Sequence, residues 1–256
     1  METAHTDMTL VVSGDIVSED VEYTRDRIHG VLDQIEEPVL FARLKLTMST
    51  DPARTRPAIA EVTVDINGDL VRAQIAAETI QVAADLLKDR ITSQLRRRRE
   101  RYEARRRRTR GTGPGEWRHG NLPGVRPEHF DRPSGERELV RRKTHTAKDL
   151  TPEQAVAEME LLDYDFHLFR DLTTDQDALI ERHGDDYRLT RLQLAESDLP
   201  AGITASGYPA PTLGIDEAIR HLESLGGRYL FFADKRGRGN VLYHRYDGHY
   251  GLITPE

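Results

Sequence analysis

The chain has 256 residues, 37% of them hydrophobic and 32% charged, with a formal net charge of −7. It contains no cysteine, which excludes a disulfide scaffold, a thiolate zinc site and a cysteine nucleophile. No apolar run of about 18 residues occurs, and the polar, acidic segment Met1 to Asp7 does not read as a signal peptide, so the expectation is a cytoplasmic protein with no membrane segment.

The charge is unevenly placed. Residues 1–95 hold 17 acids against 9 bases, and residues 111–256 are also net acidic. Between them, residues 96–110 hold ten arginines and two glutamates. Such a field attracts phosphate polyanions by counterion release, and its binding weakens with salt.

In chain order, Met8 to Ser13 reads as a short strand rich in β-branched residues. Ser18 is placed to cap a helix, with Glu19 and Asp20 near its positive end. Val21, Ile28, Val31, Leu32 and Ile35 form that helix's apolar stripe, and Pro38 is expected to stop it. Residues 39–49 alternate, with Leu40, Ala42, Leu44, Leu46 and Met48 on one face. Ala60, Val62, Val64 and Ile66 form a second alternating strand, Asn67-Gly68 supplies a hairpin turn, and Val71, Ala73 and Ile75 return. From Thr79 the period becomes helical, with Ile80, Ala83, Leu87, Ile91 and Leu95 as the buried stripe. This helix should run on to Arg108, roughly 45 Å at 1.5 Å per residue, and its arginine half has no apolar stripe and must project.

Residues 111–135 contain six glycines and four prolines and read as a flexible linker. Trp117 within it reads as a local anchor, and Gly111 to Gly115 is not a phosphate loop, since it follows a helix.

The remainder repeats itself. Residues 152–190 align with 215–253 at an offset of 63, with nine identities in 39 positions and no gap. Each copy reads as a short helix and three short strands. Asp247-Gly248 suggests a tight turn in the second copy, with a looser one at Gly184-Asp185 in the first. A unit of this size is too small to stand alone. The short link between copies favours pairing within one chain, through Phe166, Leu168, Leu179 and Tyr187 against Tyr229, Phe231, Leu242 and Tyr250.

The ten histidines show no metal-ligand spacing, and no nucleophile elbow or Walker loop occurs. The expectation is therefore no enzyme, no cofactor and no metal.

Two groups of motifs carry a resemblance. The stretches Val62 to Ala73 and Ala84 to Arg97 resemble the N-terminal domain of ribosome hibernation-promoting factors. Glu158 to Arg170 and Asp247 to Ile253 resemble the C-terminal domain of their long form, here present twice. The resemblance implies an α+β fold: a β-α-β-β-β-α domain with two helices on one face of a four-stranded sheet, followed by tandem small α/β domains. It implies binding to the 30S subunit and the 70S ribosome, in the mRNA and tRNA channel, with 16S rRNA as the partner. It places Lys88, Arg90, Arg96, Arg97 and Arg99 where the family's second helix is basic; Arg101 and Arg105 to Arg108, Arg105 and Arg106 among them, are added on charge alone. The acidic first helix (Glu19, Asp20, Glu22, Asp26) departs from the family's more basic one. The expected organisation is a ribosome-binding domain at 1–110, a linker at 111–140, repeat copies at 141–192 and 214–256, and a second linker at 193–213. The rivals are a nucleic-acid-binding stress regulator acting off the ribosome and a scaffold that recruits an acidic protein.

Overall fold

The computed structural model describes residues 8–52, 54–108 and 132–256, with backbone alone for 104–108. The expected linker from 111 to 131, Trp117 included, lies outside the described residues. The chain divides into two compact units, the first built mainly from the elements up to Arg108 and the second mainly from the repeats.

In the first unit, β1 (Met8–Ser13) leads through α1 (Ser18–Leu32) to β2 (Val39–Met48), β3 (Ala58–Ile66), β4 (Asp69–Ala77) and α2 (Ile80–Arg108). The sheet order is β1-β2-β3-β4, with β1 parallel to β2 and the other pairs antiparallel. The period-2 pattern turns Ala42, Leu44, Leu46, Ala60, Val62, Val64, Val71 and Ala73 toward one core, where they meet Ile28, Val31 and Leu32 of α1 and Ile80, Ala83, Leu87 and Ile91 of α2. The opposite side of β2 carries exposed Arg43 and Lys45.

Three local expectations are corrected. The first helix takes Val17 as its N-cap, and Ser18 is its first residue with no capping bond. That helix ends at Leu32, before Pro38. Leu40 is 65% exposed, because a register shift between Val39 and Phe41 breaks the alternation there. The Asn67-Gly68 turn forms as expected, with φ of 53° and 94°, and the Gly68 N–H donates to Asp65 Oδ1 at 2.8 Å.

In the second unit, the first repeat is α3 (Pro152–Leu161), β7 (Phe166–Asp171), β8 (Gln176–His183) and β9 (Asp186–Arg191). The second is α4 (Ile215–Leu225), β11 (Tyr229–Ala233), β12 (Gly239–His244) and β13 (Tyr250–Pro255). Three strands the repeat pattern did not contain complete the sheets: β5 (Leu139–His145), β6 (Asp149–Leu150) and β10 (Ile203–Ala205). The sheet orders are β10-β9-β8-β7-β6 and β11-β12-β13-β5. The exchange is reciprocal: β5, which precedes the first repeat, pairs parallel with β13 of the second, and β10, which precedes the second, pairs parallel with β9 of the first. Leu139–His145 is therefore strand, where residues 139 and 140 were expected to be linker.

Candidate nucleic-acid interface

α2 consists of two physically different halves. Ile80, Ala83, Ala84, Leu87 and Ile91 are fully buried, and Thr79 caps the helix start through its hydroxyl, which accepts from the Val82 N–H at 3.3 Å. Beyond Leu95 the stripe continues with an arginine. Arg98 lies two helical turns past Ile91 on the same face and is 9% exposed. Its guanidinium donates to Asp69 at 3.1 Å and to the Ile66 carbonyl at 3.1 Å, and pairs with Glu37. Arg98 thus anchors α2 to the β3–β4 hairpin and to the loop after α1.

The structure divides the cations expected to meet RNA. Arg96 and Arg99 point outward, their side chains 72% and 78% exposed, with loose i,i+4 partners in Glu100 (3.8 Å) and Glu103 (3.4 Å). Lys88 is half-buried. Arg90, Arg97 and Arg101 lie on a different face of α2 from Arg96 and Arg99. Helical spacing explains this: the three recur near multiples of 3.6 residues on one face, beside the apolar stripe. The side chains of Arg105 and Arg106 lie outside the described residues.

The acidic α1 does not oppose α2 blindly. Asp20 accepts from Gln81 at 2.9 Å, and Asp85 accepts from the Tyr23 hydroxyl at 3.0 Å while Arg27 lies 3.3 Å from it. The hydroxyl and Asp85 hold the Arg27 pKa above its ordinary value. Glu19, Glu22 and Asp26 remain exposed.

The repeat residues also divide. Phe166, Leu168, Leu179, Tyr229 and Phe231 gather in one cluster with Ala210, Val241, Leu192 and Ile253. The Phe166 and Tyr229 rings lie 4.5 Å apart, and the Tyr229 hydroxyl donates to Glu181. Burial, then this carboxylate, raises the Tyr229 pKa. Tyr187 belongs instead to the core under α3, and Leu242 and Tyr250 to the core under α4.

Loop lengths cause the Leu242 discrepancy. Leu168 faces Leu179 in the first sheet, whereas Phe231 faces Val241 in the second. The first hairpin closes four residues between Asp171 and Gln176; its counterpart closes three between Asp234 and Arg238, whose N–H···O bond is 2.9 Å. The second hairpin reverses this: two residues, Gly184-Asp185, lie between His183 and Asp186, and three lie between Arg245 and His249. The tight turn is therefore in the first copy, opposite to expectation, and the gapless alignment misplaces the middle strand by one residue. One slip inverts every side chain of a strand.

In the corrected register Asp177 is the counterpart of Gly239, and the two meet. Asp177, 3% exposed, accepts from the Gly239 N–H at 2.9 Å and from Arg238 Nε at 3.1 Å. A Cβ on Gly239 would stand 2.8 Å from the Asp177 Cβ and 2.8 Å from the Phe231 ring. Sequence reasoning missed Asp177, Val241 and Gly239 because β12, Gly239-Asn-Val-Leu-Tyr-His244, has no alternation to reveal its faces.

Among the described residues no cluster of three or more His, Asp or Glu could hold a metal ion, and no helix is long and apolar enough to cross a membrane.

Comparison with known proteins agrees with this architecture. Residues 11–103 match the family described as Sigma 54 modulation protein / S30EA ribosomal protein, and its C-terminal family matches twice, at residues 134–189 and 203–252. A dormancy associated translation inhibitor of Mycobacterium tuberculosis is 38% identical over 129 residues, which are 46% of this chain and 47% of that one; the chain thus spans about half the length of that relative. Ribosome hibernation promotion factors of Deinococcus radiodurans and a Picosynechococcus are each 28% identical, covering 66% and 69% of this chain and 88% and 94% of theirs. Among solved structures, the N-terminal domain of Thermus thermophilus Protein Y is 22% identical with a TM-score of 0.30, over 36% of this chain and 98% of that domain.

Proposed function

The chain belongs to the sigma 54 modulation/S30EA ribosomal protein family, and on that premise we propose that it is a ribosome hibernation factor. It occupies the mRNA and tRNA channel of the small subunit, contacts 16S rRNA, blocks translation and keeps idle 70S ribosomes intact. The observation that carries this reading is α2: one half is locked into a core, and the other holds Arg96 and Arg99 in water. A rigid rod of guanidinium groups suits phosphate contacts, and the shape of the domain behind it supplies selectivity. The names of the relatives point the same way.

The test is co-sedimentation with purified 30S and 50S subunits across a salt series. The double variant Arg96→Ala/Arg99→Ala should bind 30S more weakly, with a log–log salt slope flatter by about 1–2. Arg98 must be left in place, since its loss would loosen α2 from the domain. Equal binding to naked nucleic acid and to 30S would favour the off-ribosome regulator.

The reading extends to the repeats, which pair with each other inside one chain and leave ribosomes single. Support comes from the shared cluster and from the unlike residues at its centre. Two first repeats from different chains would bring two buried Asp177 carboxylates together. Two second repeats would leave Gly239 N–H and Arg238 groups without that acid. Sucrose gradients of pure protein with 70S ribosomes should show single ribosomes; abundant dimers would overturn this part.

A further inference from the structure

We propose that the repeat unit carries a second RNA-binding surface, built on the edge strand β5 and the β11–β12 loop, that takes the sugar–phosphate backbone. β5 lies at the end of its sheet and reads Leu-Val-Arg-Arg-Lys-Thr-His. Arg141, Arg142 and Lys143 are all exposed. Pairing with β13 sets Arg142 beside Leu252, on the α4 side, and Arg141 and Lys143 beside Gly251 and Ile253. Alternation therefore spreads the charge over both faces of the edge.

On the α4 side, Arg142 lines a recess of about 260 Å³ together with Lys235 and Arg236, both exposed on the β11–β12 loop. Three cations from two distant segments thus converge on the recess, and Arg141 and Lys143 extend the charge to the other face of the edge. None of the five makes a salt bridge among the described residues. The acid in the recess, Asp234, is engaged by the backbone: its Oδ1 accepts from the N–H of Arg236 at 2.8 Å and of Arg238 at 3.0 Å. Residues 111–256 are net acidic, so the patch is a local exception to its surroundings.

Cations on an edge strand also guard against edge-to-edge pairing. That role does not explain Lys235 and Arg236, which lie in a loop. Unpaired, converging arginines and lysines complement a polyanion, and phosphates are read without any sequence requirement.

That the RNA is ribosomal rests on the reading above; the surface itself does not. The experiment uses the full chain and two probes, a fluorescein-labelled RNA hairpin and 70S ribosomes, between about 50 and 200 mM salt. The variants are Arg141→Ala/Arg142→Ala/Lys143→Ala, the loop variant Lys235→Ala/Arg236→Ala, and Arg96→Ala/Arg99→Ala for comparison, each checked for an unchanged unfolding midpoint. Loss of three phosphate contacts should weaken hairpin binding about tenfold near 150 mM and flatten the salt slope by roughly 2. The loop variant, which touches no strand edge, should flatten it by roughly 1. Wild-type affinity and slope in both would overturn the proposal and leave the cations as edge guards, as would any self-association without loss of RNA affinity. Loss of 70S binding with hairpin binding intact would also overturn it, in favour of a protein partner. An inert Arg96/Arg99 variant beside a weakened β5 variant would sustain this surface and sink the role of α2.

Discussion

The two repeats share a helix, three strands and a separate core, yet they are not interchangeable. The first places an aspartate where the second has a glycine, and a phenylalanine where the second has a tyrosine; both pairs meet across the shared cluster. The first also buries His167 where the second has Leu230. Under the pairing proposed above, these differences favour unlike partners over like ones. A symmetric interface permits no such division, because each residue must serve both sides.

The largest test of that asymmetry is Asp177→Ala. It leaves the buried Gly239 N–H without this acceptor and removes the carboxylate partner of Arg238. The expected cost to the repeat unit is about 3 kcal/mol in denaturant unfolding. A change below half of that would mean the unlike pair contributes little.

The second test uses pH. Burial, opposed by the carboxylate of Glu158 and aided by His145 and Lys148, lowers the His167 pKa to about 4, and its Nε2 has no hydrogen-bond partner among the described residues. The folded pKa lies below the unfolded value, so the folded state resists protonation. Stability is complete above about pH 6.5 and falls as pH drops toward 4, by about 3 kcal/mol for this group. His167→Leu, which copies the second repeat, should remove most of that slope. A smaller slope from His145, also lowered by burial, should remain. An unchanged acid profile in the variant would contradict the assignment.

The smallest expected effect is from Tyr229→Phe, which makes the tyrosine match Phe166. It removes the hydroxyl that donates to Glu181 and keeps the ring contact. About 1 kcal/mol should be lost, and the Glu181→Gln/Tyr229→Phe double variant should cost little more than either single one, which a double-mutant cycle measures.

Much of the first unit was legible in the sequence. Period-2 runs at 39–49 and 58–66, the Asn-Gly turn and the stripe from Ile80 to Ile91 each follow from local chemistry. Arg98 was legible too, as a stripe position, but the uniform arginine run hid it among neighbours of another role. The faces of Arg90, Arg97 and Arg101 could be read from helical spacing once the stripe was fixed. In the repeats, helices and strands were visible, but β12 is buried on both sides, so only the hairpin lengths decide which side faces where. The exchanged strands were hidden for a different reason. β5 pairs with a partner far away in sequence, and nothing in Leu-Val-Arg-Arg-Lys names β13 as its neighbour; β10, Ile203–Ala205, is too short to show a pattern.

That exchange sets an order of events during synthesis. The sheet of the first unit is drawn from one continuous stretch, and can form as it leaves the exit tunnel. The second cannot, because β5 must wait for β13, far downstream in the chain, before the two can pair. Such long-range parallel pairing is slow. The newborn chain therefore completes its arginine helix before its repeat unit can close.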